Sequence, residues 1–311
     1  MKSILVIILI FLIIQTIGLY VGNEYTEIIN QAIEAGEIEE RPGIIPGVSP
    51  ERAENSIFLF GFIIITTVGI LLIIKFKKSF LKGVEAFVIF GSSWLTFLFL
   101  IPFPIQVVWE RFIAYLLLPL GSIGFILFNV LTLNSLLALV LTAWKVFRPT
   151  IISQNVAAII AGSGAGAVLG VSLGIAPCII FMMILSVYDF VSVFITKHMV
   201  KMAKAITEKP MAFTIAAPHK FKKAKYIPHK KGKKKVHVFQ LGLGDIIIPL
   251  MFSVSILNKF TIFHSIITVI GSLIGLLLLT IYITRKPRAL PALPFVCTGA
   301  LVGYLISIFI L

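Results

Sequence analysis

Long apolar runs constrain this chain more than any other feature of its sequence. They recur from end to end between short polar segments, and 59% of the residues are hydrophobic while 13% are charged. Crossing a hydrocarbon layer of about 30 Å takes about 20 apolar residues in a helix. The mean hydropathy of +1.06 leaves no room for a large soluble domain. We therefore predict an all-α, polytopic membrane protein.

The limits of the apolar runs predict a bundle of nine transmembrane helices. The first run could be a signal peptide, but it is long for one and no A-x-A cleavage site follows, which favours an uncleaved anchor helix. The fourth run would extend about 48 Å as a helix and is interrupted by Pro119 and Gly121, so it could be two spans. We keep it as one, with a bent or partly re-entrant stretch over 112 to 128. The predicted spans are residues 3 to 21, 56 to 74, 84 to 106, 112 to 143, 150 to 173, 175 to 196, 238 to 257, 261 to 283 and 290 to 311.

Charge predicts the orientation of these spans, because Lys and Arg concentrate in cytoplasmic loops. Loop 197 to 237 carries thirteen of the 27 basic residues, one acid and four of the five histidines, whereas loop 22 to 55 carries eight glutamates. Nine spans put the basic loop on the cytoplasmic side and the acidic loop outside. Splitting the fourth run into two spans would place the basic loop outside. We predict a cell-membrane protein with its N-terminus in the cytoplasm and its C-terminus outside.

The basic loop divides the chain into three parts. Residues 1 to 196 form helices 1 to 6, residues 197 to 237 form a lysine-rich, flexible cytoplasmic loop, and residues 238 to 311 form helices 7 to 9. A basic run can bind nucleic acid, but a membrane lies at both ends of this one. We therefore expect it to orient the chain and to contact anionic lipid headgroups, and we expect no nucleic-acid partner. The sequence leaves the oligomeric state open.

Only two aspartates occur in the chain, Asp189 in "SVYDFVSVF" and Asp245 in "LGLGDIII", and both lie in predicted spans. Each is seven residues from the cytoplasmic end of its span, Thr196 or Val238, which in a helix is about 10 Å below the same membrane face. Acidic residues inside a membrane are costly and are retained for function. Two neighbouring carboxyl groups can share one proton, as in aspartic proteases. The ionised one then takes a proton from water while the protonated one polarises the scissile carbonyl, and a gem-diol forms.

Glycines and prolines flank these acids. Gly242 and Gly244 lack Cβ atoms, so the helix can unwind there or admit a close backbone. Loosened backbone at this depth is tolerated where protein or water lines it, and it offers unpaired groups for β-strand addition by an extended substrate. In "PRALPALPFV", residues 287 to 296, Pro291 and Pro294 prevent a regular first helical turn. Alone, that segment is also typical of a proline-rich helix start.

Three motifs follow one another in order: "YD" at Tyr188 and Asp189, "GLGD" at Gly242 to Asp245, and "PALP" at Pro291 to Pro294. On these motifs the chain resembles the presenilin and signal peptide peptidase family of intramembrane aspartyl proteases, with GxGD at the second acid, and is most similar to its single-chain archaeal presenilin homologues. The likeness covers essentially the whole chain, with motif detail in the last third. Presenilins carry a hydrophobic piece in the loop between helices 6 and 7 that is cut on maturation. The basic loop here departs from that pattern and puts self-cleavage in doubt.

The resemblance implies nine helices, Asp189 and Asp245 as the catalytic pair, and the PALP residues shaping the substrate site. Tyr188 either hydrogen-bonds beside the pair or is an ordinary packing aromatic. The predicted substrate-binding residues are Tyr188, Gly242, Leu243, Gly244, Pro291, Ala292, Leu293 and Pro294. The predicted orientation agrees with presenilins rather than signal peptide peptidases. Substrates would be transmembrane proteins or peptides with the N-terminus outside, and we expect no metal and no other cofactor.

Some of these sequence features also occur in proteins with other functions. Intramembrane acids beside helix breaks also occur in proton- or cation-coupled secondary transporters, but the two halves of this chain show no internal repeat. No H-E-x-x-H motif exists, which excludes a zinc protease of that type. The glycine-rich run "AGSGAGAVLG", residues 161 to 170, repeats small residues every four positions, which indicates helix packing rather than nucleotide binding. Cys178 and Cys297 lie in apolar runs and are read as packing residues.

Overall fold

The computed structural model describes residues 2–76, 78–117, 132–195, 214–218, 238–285 and 290–311. Within them the chain forms ten α-helices, one π-helical turn and two β-strands. The first five helices are α1 Lys2–Glu34, α2 Glu54–Phe76, α3 Lys78–Leu100, α4 Phe103–Leu117 and α5 Leu133–Phe147. The next elements are α6 Ile151–Ser172, α7 Ile175–Phe190, the π-turn Val191–Ile195, β1 Thr214–Pro218 and β2 Val238–Gly242. The last three are α8 Gly244–Leu257, α9 Ile262–Arg285 and α10 Leu293–Ile310.

The helices have the composition of membrane-crossing segments. Among the described residues, six are long and apolar enough to span a bilayer, and three shorter apolar helices, Glu54–Gly69, Leu133–Phe147 and Gly244–Leu257, accompany them. Large apolar side chains on the outside of the bundle, such as Phe87, Tyr115 and Phe309, are widely exposed, as expected of a surface that faces lipid rather than water. The predicted polytopic helical class is therefore confirmed, while the count of nine spans stays a prediction.

The ends of several predicted spans are shifted. Helix α1 continues to Glu34 instead of ending at residue 21, because the polar residues beyond the apolar run do not prevent helix formation. The third predicted span, 84 to 106, is wrong at its end. Helix α3 ends at Leu100 and α4 begins at Phe103, since Pro102 cannot donate the backbone hydrogen bond that a continuous helix requires.

The fourth predicted span, 112 to 143, contains parts of two helices, α4 and α5. Residues 118–131 lie outside the described residues, so most of the predicted bent stretch does too. Helix α5 extends to Phe147 and includes Lys145, which lies beyond the predicted end of the span at residue 143. Lys145 is instead buried and forms an ion pair with Glu85 of α3. A lysine inside a membrane helix is tolerated when an acid pairs with it.

The seventh predicted span, 238 to 257, is wrong over its first five residues. These residues form strand β2, which pairs antiparallel with β1 from Thr214 opposite Gly242 to Pro218 opposite Val238. Helix α8 begins only at Gly244. Because a strand rises about 3.3 Å per residue, the helical depth of Asp245 expected from Val238 does not apply. Strand β1 also gives order to part of loop 197 to 237, whose residues 197–213 and 219–237 lie outside the described residues.

Strand β1 is held against the helical bundle at two points. The Gln154 side chain of α6 donates to the backbone oxygen of Thr214 at 2.5 Å and approaches its hydroxyl at 3.0 Å. The next side chain, Ile215, is fully buried in the apolar core. The strand pair therefore belongs to the folded body, and it delivers the chain directly to the start of α8.

Ten of the fourteen residues of helix α8 are buried, and the glycine stripe of α6 faces it. A Cβ on Gly162 would lie 3.0 Å from Leu243, and one on Gly166 would lie 2.6 Å from Leu250. Gly170 meets Met251 and Val254 of the same helix. The packing role predicted for this stripe is thus confirmed for these three glycines, which let α6 approach α8 closely.

Candidate active site

Asp189, the first predicted catalytic residue, lies at the penultimate position of α7 and is buried, with 4% of its surface exposed. Its Oδ2 accepts a hydrogen bond from the backbone N–H of Leu293 at 3.3 Å, and the carboxylate also accepts from the N–H of Ala292. Both N–H groups belong to the start of α10, where helix geometry leaves donors without partners. Asp189 therefore caps α10 from a different helix.

The π-turn Val191–Ile195 begins two residues after Asp189, beyond Phe190. Such turns are rare and are frequent at functional sites. Asp189 thus lies just before a change from α-helical to π-helical backbone, whereas the sequence predicted a regular span to residue 196.

Asp245, the second predicted catalytic residue, is the second residue of α8 and is half-buried. Its carboxylate accepts a hydrogen bond from the backbone N–H of Gly242 at the end of β2. A helix N-terminus also favours a negative charge. An added Cβ on Gly242 would lie 3.1 Å from Oδ2 of Asp245, so any larger residue at 242 would require the carboxyl group to shift.

The two carboxyl groups approach each other closely enough to interact electrostatically. The thiol of Cys297 on α10 interacts with both of them and hydrogen-bonds to Ser186. Ser186 lies one helical turn before Asp189, and Cys297 lies one turn after Leu293. Helices α7, α8 and α10 therefore converge on one polar cluster inside an apolar bundle.

The PALP segment forms the third wall of this cluster. Pro291 and Leu293 are buried, while Ala292 and Pro294 are half-buried. Helix α10 begins at Leu293 with Pro294 in its first turn, where the missing N–H of proline costs nothing. Pro291 precedes the helix and is non-helical, as predicted. Pro294 does not prevent a regular first turn, so that prediction is wrong for this residue, and the alternative of a proline-rich helix start applies to it. Residues 287–289 lie outside the described residues.

The remaining predicted site residues face different surroundings. Gly244 is exposed, and no atom of the described residues lies within 4 Å of a Cβ added to it, so among these residues the start of α8 borders open space. Leu243 is buried and packs towards Gly162 of α6, which leaves its backbone as the part nearest the cluster. Tyr188 is 40% exposed, and its ring contacts Phe60 of α2 edge-on at 6.1 Å between centroids.

An apolar groove of about 430 Å³ runs beside Tyr188 between α2 and α7. It is lined by Phe60, Met183, Ile184, Val187, Tyr188 and Val191. The groove lies on the outer surface of α7, next to the residue that precedes Asp189. It is a place where an apolar segment from the lipid phase could lie against the bundle close to the two carboxyl groups.

Sequence reasoning missed Ser186, Cys297 and strand β1 as neighbours of the site. The spacing of Ser186 and Asp189 by three residues places them on one helix face, which was a usable signal for Ser186. Nothing in the sequence connects Cys297 with Asp189, because that contact depends on how α10 docks. In the described part of the chain, no three His, Cys, Asp or Glu side chains form a group able to hold a metal ion.

An apolar helical bundle that brings two carboxyl groups together belongs, as a class, with the acid-dependent enzymes and transporters of membranes. The family model described as signal-peptide peptidase, presenilin aspartyl protease matches residues 45–311, and the chain belongs to this family. It is therefore an intramembrane aspartyl protease, an aspartic endopeptidase.

Solved structures support the fold. Two structures of a presenilin family intramembrane aspartate protease, in C222 and P2 space groups, superpose with TM-scores of 0.58 and 0.56 at 19% sequence identity. The first alignment covers 97% of this chain and 95% of the other, and the second covers 98% and 96%. A search of proteins with curated functions gave no match.

Proposed function

We propose that Asp189 and Asp245 form the catalytic pair with which this protease hydrolyses peptide bonds inside transmembrane segments of other membrane proteins. The observation that carries the proposal is that the only two aspartates of the chain, on separate helices, lie within electrostatic interaction range of each other. Both occupy interrupted backbone, one before a π-turn and the other at a strand-to-helix turn.

The chemistry follows from one shared proton. The ionised carboxylate takes a proton from a water molecule, whose oxygen adds to the scissile carbonyl carbon, while the protonated carboxyl group donates to the carbonyl oxygen. The resulting gem-diol collapses when the protonated carboxyl group donates its proton to the amide nitrogen, the carboxylate takes a proton from one hydroxyl group, and the C–N bond breaks. The proton belongs to the pair, since coupled groups titrate together.

Substrate must be extended at the cleavage point, because a helical peptide bond is shielded by its own hydrogen bonds. We infer that the β1–β2 pair accepts an extended substrate segment by strand addition. The open space at Gly244 and the non-helical residues Pro291 and Ala292 border the same cluster. Their roles are to admit the substrate backbone and to shape the wall opposite β2.

The groove between α2 and α7 provides the route from the lipid. Its lining is almost entirely apolar, and it leads to Tyr188, the neighbour of Asp189. A single-span substrate can lie there without exposing apolar surface to water. The contacting rings of Tyr188 and Phe60 form part of the groove's wall.

We also propose nine transmembrane helices with the N-terminus in the cytoplasm and the C-terminus outside. Support comes from the contacts between α1 and α8. They follow the same direction along both helices, from Gln15 with Ile246 to Thr26 with Asn258. The two helices are therefore parallel, as the first and seventh spans of a nine-span chain must be. Substrates in this orientation are single-span proteins with the N-terminus outside, and the lysine-rich loop lies against anionic lipid headgroups.

A cleavage assay with a reporter transmembrane peptide tests the catalytic pair. Purified protein in lipid vesicles should cleave the peptide, and Asp189→Asn and Asp245→Asn should each lower kcat by at least about 10³-fold, because each removes one member of a unit that works jointly. Glu54→Gln, which changes an exposed carboxylate at the start of α2, is the matched control and should retain full activity. Substantial cleavage by either Asn variant would refute the pair.

A further inference from the structure

Helix α1 supports α8 along its whole length. The two helices touch at regular steps of three to four residues. The contacting pairs are Gln15 with Ile246, Gly18 with Leu250, Gly22 with Val254, and Thr26 with Asn258. The central contacts are close because residues 18 and 22 are glycines: a Cβ on Gly22 would lie 2.7 Å from Val254. Both ends of this contact are polar. The end formed by Gln15 and Ile246 lies next to Asp245.

Gln15 is an unusual residue for this interface. Its side chain is 1% exposed, and its Nε2 donates to the backbone oxygen of Ile246 at 3.1 Å. Its Oε1 has no hydrogen-bond partner within the described residues. A buried amide with an unpaired oxygen is less favourable than a leucine of similar volume. Helix packing alone does not explain a glutamine here, since Gly18 and Gly22 already provide the close approach.

The start of α8 lacks one of the backbone hydrogen bonds that a regular helix has. Pro249 has no N–H, and its ring is directed at the carbonyl four residues earlier, which is that of Asp245. The hydrogen bond that would normally hold the Asp245 carbonyl is therefore missing. The turn just before the helix consists of Gly242 and Leu243. It is linked to the helix by the hydrogen bonds that the N–H groups of Ile246 and Ile247 donate to the Leu243 oxygen. The backbone that carries Asp245 depends on contacts from outside α8.

We propose that Gln15 is a positioning residue for the proteolytic reaction. It acts on the carbonyl of the residue after Asp245, and it holds the first turn of α8 so that the Asp245 carboxyl group meets Asp189 and the substrate carbonyl correctly. This role rests on the proposed catalytic function of Asp245. The backbone oxygen of Ile246 can accept this bond in addition to a helical one, because a carbonyl has two lone pairs.

Kinetic variants of Gln15 test the proposal. Gln15→Met keeps the length and apolar volume of the side chain but removes the donor. It should lower kcat about 10-fold with little change in KM, because a small misplacement of a reacting group acts on the transition state and not on substrate binding. Affinity for a peptide inhibitor that mimics the gem-diol should fall by the same factor, since such inhibitors report transition-state complementarity.

Two threonines of the same helix are the controls. Thr16 is the exposed neighbour of Gln15 and bonds only to its own helix, while Thr26 makes the polar contact at the other end of the α1–α8 interface. Thr16→Val and Thr26→Val should keep the wild-type kcat and inhibitor affinity. An equal loss of kcat in Thr26→Val would overturn the proposal, because it would assign the effect to general α1–α8 packing.

Separate results test the catalytic role of Asp245 and the positioning role of Gln15. If Asp245→Asn is inactive and Gln15→Met turns over at the wild-type rate, the positioning role is refuted and the catalytic pair stands. If Asp245→Asn itself retains activity, both are refuted. A loss of kcat in Gln15→Met with a matching loss of gem-diol inhibitor affinity and unchanged KM supports the positioning role.

Discussion

At the scale of single residues, the site depends on backbone donors more than on charged partners. Asp189 accepts from the start of α10 and Asp245 accepts from the end of β2. No cationic side chain is needed to keep these acids in an apolar bundle, because backbone N–H groups at helix and strand ends stabilise a carboxylate without neutralising it. A carboxyl group held in this way stays available for proton transfer.

Gly242 gives the residue-scale prediction. Gly242→Ala places a methyl group 3.1 Å from Oδ2 of Asp245, so the carboxyl group must shift, and kcat for the reporter peptide should fall about 10-fold. The thermal unfolding midpoint should change little, because the methyl group meets a side-chain terminus rather than backbone. Gly244→Leu, whose side chain enters the open space, should instead raise KM. A Gly242→Ala variant with the wild-type kcat would contradict this account of the turn.

At the scale of elements, the pair α9 and α10 sets the position of the PALP segment. Gly271 and Gly275 of α9 face Gly299 and Gly303 of α10, with backbone atoms in direct contact. Close approach of small residues is a main source of helix association inside membranes. Because α10 begins at the residue that donates to Asp189, this contact determines how far Leu293 and Cys297 reach into the site.

Gly299→Ala tests this coupling. A Cβ at position 299 would lie 3.1 Å from the Gly271 carbonyl carbon and 3.2 Å from the Gly275 Cα, and backbone cannot move aside as a side chain can. We expect the free energy of unfolding to fall by about 1–3 kcal/mol and cleavage to fall with it.

Gly91→Ala on α3 is the matched control, since nothing lies within 4 Å of a Cβ there. Alanine is the better helix former, so this variant should be neutral or slightly stabilised. Unfolding curves in detergent and initial cleavage rates measure both effects. Equal stability of the two variants would mean that the glycine contact does not hold α10.

At the scale of the whole molecule, charged contacts connect distant parts of the chain at two depths. Glu51 of the loop between α1 and α2 pairs with Lys259 after α8 at 2.8 Å, and both side chains are about half exposed. The pair Lys145 and Glu85 joins α5 to α3 and is buried. The outer pair lies in a high-dielectric setting, whereas the inner pair is shielded from water by the surrounding helices.

These two settings predict very different losses in the free energy of unfolding when the lysine is replaced. Lys145→Met should lower the free energy of unfolding by about 3–5 kcal/mol, because a buried carboxylate loses its compensating charge. Lys259→Met should lower it by about 1 kcal/mol or less, as for other exposed pairs. The double variant Glu85→Leu with Lys145→Met should recover much of the loss. Denaturant titration in detergent compares the four proteins, and equal losses in the two Met variants would contradict the assignment.

Local patterns in the sequence predicted the class of fold and the candidate pair. Apolar runs long enough to cross a bilayer specify helices wherever they stand, since a membrane leaves backbone groups no other partner. Two aspartates among aliphatic residues signalled function for the same reason. Strand β1 could not be found in this way, because five residues in a basic loop become a strand only when Gln154 and the core receive them.

What the sequence determined by itself was therefore the set of apolar helices, the two acidic positions and the glycines and prolines that loosen the backbone beside them, because each follows from the chemistry of neighbouring residues. What only the tertiary structure decided was which of these parts meet: β1 with β2, Asp189 with the first N–H groups of α10, Gln15 with the carbonyl after Asp245. Those contacts join residues far apart in the chain, and they depend on the packing of whole helices, which no local pattern encodes.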